Sequence, residues 1–219
     1  MFPMIARSAA MATLIWTLGS LSSLASDAKL THLAHLMAEA AVGENAPELA
    51  VNLEAGTRLG KVSLRFESTT LADIQIAHQG PGHAVDEATG KVTWLCYTRL
   101  ARSAKEPPET VWFISSALGP PVVLNMIVVQ MVDASKDDGC ATVTQDFVFP
   151  TFGVPGIGST AAELKTHFGS LPYDNVRNVY YDATRPTSDG SGKAIYQRLG
   201  YALSKAGTVV GIGLAQVTN

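Results

Sequence analysis

The chain is short of the groups that enzyme chemistry usually needs. Its 219 residues hold two cysteines and five histidines, and only 16% are charged. No Cys-x-x-Cys pair is present, so a dithiol redox centre has no starting point. No Gly-x-Ser-x-Gly elbow is present, which removes one common hydrolase nucleophile. The glycine-rich run from Gly153 to Gly158 lacks the lysine of a phosphate-binding loop. Asp133, Asp137 and Asp138 lack the glycine that a calcium loop needs for its turn. Charge of neither sign dominates: 16 Lys and Arg stand against 19 Asp and Glu, a net charge of −3. So mild an acidic balance argues against a nucleic-acid surface, which has to be basic.

Long apolar runs are also scarce. The notable one spans residues 9–18, after Arg7, the one charge before Asp27. Small residues follow and end at Ser23-Leu24-Ala25, so residues 1–25 read as a cleavable secretory signal. The run is too short to span a bilayer, and no cysteine near the cleavage point could take a lipid. The expectation is an exported chain, periplasmic or secreted, with no membrane span after cleavage. Without Arg7 the balance is 15 basic to 19 acidic residues, a net −4. Export gives meaning to the even cysteine count, and Cys96 and Cys140 are expected to form a disulfide.

What the chain does have is a short stretch that occurs twice. The clearer copy is Gly158-Ser159-Thr160-Ala161-Ala162-Glu163-Leu164-Lys165-Thr166-His167-Phe168-Gly169, with Pro172 beyond. The other runs from Ser68 to Gly80 through Thr70, Leu71, Asp73 and His78. Each reads as a two-turn helix. Thr70 and Thr160 are N-caps, and Asp73 and Glu163, three residues on, complete capping boxes. Both acidic residues also suit the positive end of the helix dipole. Gly80 and Gly169 are expected to supply the left-handed stop.

Around these helices the chain divides into four parts. The signal over 1–25 is followed by an N-terminal helix and loop over 26–60. Leu30, Leu33, Met37 and Ala40 recur at helical spacing over 27–42, and 43–60 reads as irregular. His32 and His35 lie on that helix without a third ligand nearby. Strands are expected over 62–66, 92–97, 111–115, 122–132, 143–149, 176–182, 194–203 and 208–217. The 122–132 strand is apolar at consecutive positions, so both of its faces should be covered. Gly211 and Gly213 weaken the last strand unless something packs close or the strand bends. Helix, strand, strand, last strand recurs with a period of about 90 residues. The fold class is therefore α+β, with two tandem repeats over 61–142 and 143–219. Each is a short capped helix packed on an antiparallel three-stranded meander.

The pattern Gly158-x-Thr160-x-x-Glu163-Leu164-x-x-x-Phe168-Gly169…Pro172 resembles the helical motif of the SmpA/BamE-type envelope proteins. The tandem layout is similar to that of β-lactamase inhibitor protein. The motif covers about 15 residues and the layout about 150. The first copy lacks the leading glycine, and the chain lacks the lipid-attachment cysteine of the assembly lipoproteins. The resemblance implies a fold and a habit of binding other proteins through the sheet.

The leading functional expectation is thus an exported protein-binding module: an inhibitor, an adaptor or an envelope-assembly factor. It would have no catalytic residue, no cofactor and no metal. The partner would be an envelope or extracellular protein of unknown identity. Strand aromatics are the candidate interface: Trp94, Tyr97, Trp112, Tyr180, Tyr181, Tyr196 and Tyr201. Trp and Tyr anchor interfaces when exposed, though they could equally fill the core. Two alternatives remain. One is a small metal-dependent hydrolase using His78 and His83, with Asp86 and Glu87 nearby. The other is a carrier whose apolar strands line a cavity for a small ligand.

Overall fold

The computed structural model describes residues 30–39, 56–59, 62–80, 82–87, 90–101, 103, 106–116, 122–133, 139–144, 147–169, 179–186 and 191–218. The expected leader over 1–25, most of the loop over 43–60 and the polar segment over 135–138 lie outside the described residues. The described chain is mixed α+β, built on a mostly antiparallel sheet.

Helix α1 (His32–Glu39) occupies the middle of the expected N-terminal helix. Strands β1 (Gly56–Leu59) and β2 (Val62–Arg65) pair antiparallel, Leu59 facing Val62. This corrects the irregular reading of 43–60: residues 56–59 extend because β2 offers them a partner.

Helices α2 (Leu71–His78) and α3 (Ala161–Phe168) start as their sequences require. Thr70 Oγ1 accepts from the Asp73 amide at 3.1 Å, and the Asp73 carboxylate accepts from the Thr70 amide at 3.0 Å. In α3 the same pair of bonds links Thr160 and Glu163 at 3.2 and 2.6 Å. A cap of this kind is worth about 1 kcal/mol. Helix α3 stops at Gly169, with φ of 75°. Helix α2 stops one residue earlier than expected, on Gln79 with φ of 51°. Gly80 has another duty: a Cβ there would stand 3.0 Å from Cε1 of Tyr97.

Seven strands follow one another across the sheet in the order β3-β4-β5-β6-β10-β9-β8, each antiparallel to its neighbour. They are β3 (Gly82–Glu87), β4 (Gly90–Arg99), β5 (Glu109–Ser115), β6 (Met126–Met131), β8 (Val179–Pro186), β9 (Ala194–Leu203) and β10 (Val209–Thr218). The eighth, β7 (Ala141–Val143), lies parallel to the end of β4 and pairs Tyr97 with Ala141. Three expectations are corrected here. The first meander has four strands, because β3 joins it. The strand expected over 122–132 begins only at Met126, since Val122 has φ of 60° and Val123 bridges to Thr70. Among the described residues of 143–149, only Val143 is in a strand, and 147–150 carry no strand pairing. The two meanders are also not separate sheets: β6 and β10 pair, with Val129 opposite Ile212.

Each capped helix meets the head of one of these two central strands. Thr70 bridges Val123, just before β6, and Thr160 bridges Thr208, just before β10. The Leu71 amide donates to Val122 O at 3.1 Å, and the Ala161 amide to Gly207 O at 2.9 Å. In return Leu124 donates to Thr69 O and Val209 to Ser159 O, both at 2.8 Å. Before each cap lies a left-handed residue, Gly158 with φ of 89° and Glu67 with φ of 59°. A non-glycine residue there costs of order 1–3 kcal/mol. The Glu67 carboxylate offsets it by accepting from the Thr218 amide and hydroxyl, both at 2.6 Å, which pins the end of β10.

Both faces of the sheet are covered. On one, Leu71 and Ile74 of α2, Leu164 of α3 and Leu59 and Leu64 of the hairpin pack on Tyr97, Phe113, Val129, Tyr201 and Leu214. On the other, Leu30, Leu33 and Met37 of the N-terminal helix region pack with Trp94, Trp112, Met126 and Val128. Strand alternation sends neighbouring residues to opposite cores, which is why β6 is apolar at consecutive positions. Helix α1 also answers the question posed by the glycines of β10. A Cβ on Gly213 would meet Met37 Sδ at 2.3 Å, and one on Gly200 would meet it at 2.9 Å. Cys96 and Cys140 are joined, tying β7 to β4. Among the described residues no helix is long and apolar enough to cross a membrane.

Candidate binding surface

Most of the candidate interface aromatics are core residues. Trp94, Tyr97, Trp112 and Tyr201 are all buried, at most 2% exposed. They are corrected as surface anchors for a plain reason: with both sheet faces covered, either parity of a strand leads inside. Tyr196 is half-buried on β9. Tyr180 and Tyr181 belong to β8, but their side chains lie outside the described residues.

Of the histidines proposed for a metal, His78 is described in full, and the side chains of His83, Asp86 and Glu87 lie outside the described residues. His78 ends α2 and packs its ring edge-on against Phe147 at 5.1 Å and against Tyr97 at 6.1 Å. His83 sits on β3 at the register position opposite Trp94, and Trp94 belongs to the other core from Tyr97. Asp86 and Glu87 follow on the same strand. Among the described residues no three His, Cys, Asp or Glu side chains gather as a metal site would require.

The His78 contact opens a row of interlocked side chains that composition alone did not reveal. Phe147 lies beside Tyr97 at 5.6 Å and beside Phe149 at 5.6 Å. The Arg99 guanidinium rests over the Phe149 ring at 4.5 Å, donates to Phe147 O at 3.1 Å and pairs with Glu109. Burial pushes the Tyr97 phenol up to about 12, so it stays neutral across the physiological range. Tyr201, buried in the other half, is pushed up likewise and donates to Pro155 O at 2.9 Å.

This row ends in a cavity of about 220 Å³, walled by Arg99, Leu100, Glu106, Pro107, Glu109 and Met131. The strand expected over 143–149 gives Phe147 and Phe149 no special place, and Arg99 and Glu109 belong to no sequence motif. The available signal was Phe147-Val148-Phe149-Pro150: two aromatics of one parity before a strand breaker.

Four large apolar side chains are exposed among the described residues. Ile76 is 81% exposed, Val148 61%, Val122 58% and Leu100 56%. Ile76 is on the last turn of α2, two residues before His78. Val148 lies between Phe147 and Phe149, Leu100 follows Arg99, and Val122 accepts from the head of α2. None lies on α3, β9 or β10 among the described residues.

The capping carboxylates set a pH dependence. Asp73 is held below its ordinary range by the Thr70 hydroxyl and then the Thr70 amide. Glu163 is held low by the Thr160 amide and then the Thr160 hydroxyl. A carboxylate lowered by folding contributes stability above its unfolded pKa and loses it as pH falls through the folded value. Asp73→Asn and Glu163→Gln should therefore flatten the acid limb of the stability curve, measured by urea titration from pH 7 down to pH 3. Unchanged acid limbs would show that these caps do not persist in solution.

No protein-family model, curated protein or solved structure matches the chain.

Proposed function

We propose that the chain is an exported protein-binding module built from two copies of one helix-and-meander unit, with its binding surface on the side of the first meander, where residues 147–149 also lie. Counting from the two bridges supports the duplication. Ile127 and Ile212 each lie four residues past a bridge, and their partners across the meander are Phe113 and Tyr201. Val128 and Gly213 then correspond, as do Trp112 and Gly200. The last helical residues differ in what they meet: His78 packs on Tyr97 of β4, and Phe168 on Tyr201 of β9. The match is therefore one of helix caps and central strands, and the unit is read as a scaffold used twice.

The observation that carries the binding reading is the exposure of Ile76, Val122, Val148 and Leu100, which lie on α2, just before β6, between Phe147 and Phe149, and just after β4. Single exposed apolar residues are ordinary, so the reading rests on four of them in segments that border one meander. The resemblance to SmpA/BamE-type proteins and to β-lactamase inhibitor protein favours a protein partner in the envelope or outside the cell. A bonded cysteine pair favours the same oxidising compartments. Inhibitor, adaptor and assembly factor all use such a surface.

Ile76→Glu combined with Val148→Glu tests the reading. Both side chains are exposed, so the variant should keep its melting temperature within the small range of surface changes. Affinity capture from envelope extract should recover a stoichiometric partner with the parent chain and at least tenfold less with the variant. Equal recovery would remove the surface from consideration.

A further inference from the structure

The described residues hold three left-handed residues other than glycine, and all three border α2. Glu67, with φ of 59°, precedes the cap, and its carboxylate offsets the cost by holding Thr218. Gln79, with φ of 51°, ends the helix, and Val122, with φ of 60°, accepts from the Leu71 amide at its head. The corresponding places around α3 are glycines. Gly169, with φ of 75°, ends that helix, and Gly207, with φ of 76°, accepts from the Ala161 amide. A left-handed conformation is open to glycine, but it is an outlier for a β-branched valine. The side chains of Gln79 and Val122 are exposed, so packing returns little of that cost.

Burial adds a second cost under the same helix. Among the described residues, His78 Nε2 and Tyr97 Oη are buried without a hydrogen bond, and such atoms are expensive. Helix α3 escapes this cost too. It ends on Phe168, which has no polar side-chain atom, and the phenol it packs on, Tyr201, donates to Pro155 O. What favours a fixed α2 is one more buried side chain: Leu71 and Ile74, against Leu164 in α3. Two strained residues and two orphaned atoms outweigh that single addition. We propose that α2 is a strained flap that lifts from the sheet as a unit while α3 stays seated. Lifting breaks the bond from Leu71 to Val122, frees Gln79 from its left-handed turn and brings His78 Nε2 and Tyr97 Oη to water. It also uncovers the apolar floor at Tyr97 and Phe113 on which Leu71 and Ile74 pack. The flap operates in the chain alone, so it can fail independently of partner capture.

Amide hydrogen exchange of the full chain, read residue by residue by NMR with no partner present, tests this. Ile74 and Gln79 donate to Thr70 O and Gln75 O, just as Leu164 and Gly169 donate to Thr160 O and Lys165 O. After correction for intrinsic rates, the α2 pair should exchange about tenfold faster than the α3 pair. Gln79→Gly combined with Val122→Gly should slow the α2 pair roughly fivefold and leave the α3 pair unchanged. That direction is diagnostic, because glycine otherwise weakens a fold by loosening the unfolded chain. Tyr97→Phe, which removes one orphaned atom and keeps the ring, should also slow the α2 pair. Equal protection of the two helices would overturn the proposal, as would faster α2 exchange in the glycine variant or in Tyr97→Phe.

Discussion

Gly213→Val is expected to be among the most disruptive single substitutions in the chain. The new Cβ would stand 2.3 Å from Met37 Sδ and 3.0 Å from Val128 Cγ2. Neither neighbour has free space, because Met37 and Val128 are both fully buried. Overpacking of this kind costs about 1–3 kcal/mol, and two further methyls place valine at the upper end. The alternative response is that α1 leaves the sheet, which exposes Leu33 and Met37. Burying such a side chain contributes roughly 1.5–3 kcal/mol, so detachment is no cheaper. Urea unfolding should show the midpoint falling by an amount equivalent to about 3 kcal/mol. Met37→Ala in the same chain should recover part of the loss, because it vacates the space that valine needs. That non-additivity is the signature of direct contact. If Gly213→Val is neutral, α1 does not occupy this position.

Loss of the disulfide should rival it. Cys96 and Cys140 are 44 residues apart, and closing a loop of that length is worth about 4 kcal/mol in the chain-entropy account. The effect reaches beyond entropy here. Strand β7 pairs with β4 through three residues, and the bond is its tether. Residues 147–149 follow closely and carry Phe147 onto His78 and Phe149 beneath Arg99. The Cys96→Ser, Cys140→Ser double variant should therefore lose stability and also relax the Arg99 cavity. Comparison of the parent chain with and without reductant should reproduce the loss. An unchanged midpoint in reductant would mean that the pairing of β7 does not depend on the bond.

How much of this was legible beforehand divides along physical lines. The capping boxes were legible because each is closed within four residues, and Thr70, Asp73, Thr160 and Glu163 form the bonds their spacing implies. The cost of Gly211 and Gly213 was legible too, since only a close approach excuses glycine in a strand. Which element approaches was not, because Leu33 and Met37 are far away in sequence. Strand β3 was hidden by its composition: Gly82, His83, Asp86 and Glu87 leave little apolar alternation to read, and the pairing with β4 defines it. Trp94 and Trp112 looked like interface anchors because periodicity shows that two faces differ, not which is covered. The Gln79 stop replaced Gly80 because the glycine was needed under the Tyr97 ring. The Arg99 row escaped notice altogether, since it joins residues from β4, β5, α2 and the segment after β7.

The central claim is that one side of a duplicated scaffold does the binding, and hydrogen exchange addresses it most directly. The chain is exchanged alone and in complex with the protein it retains from envelope extract, and peptides are compared by mass. Slowed exchange should concentrate over residues 71–80, 97–109 and 147–150, with α3 and β9 unchanged. Slowed exchange confined to 160–169 or 194–203, or spread evenly over the chain, would contradict the account.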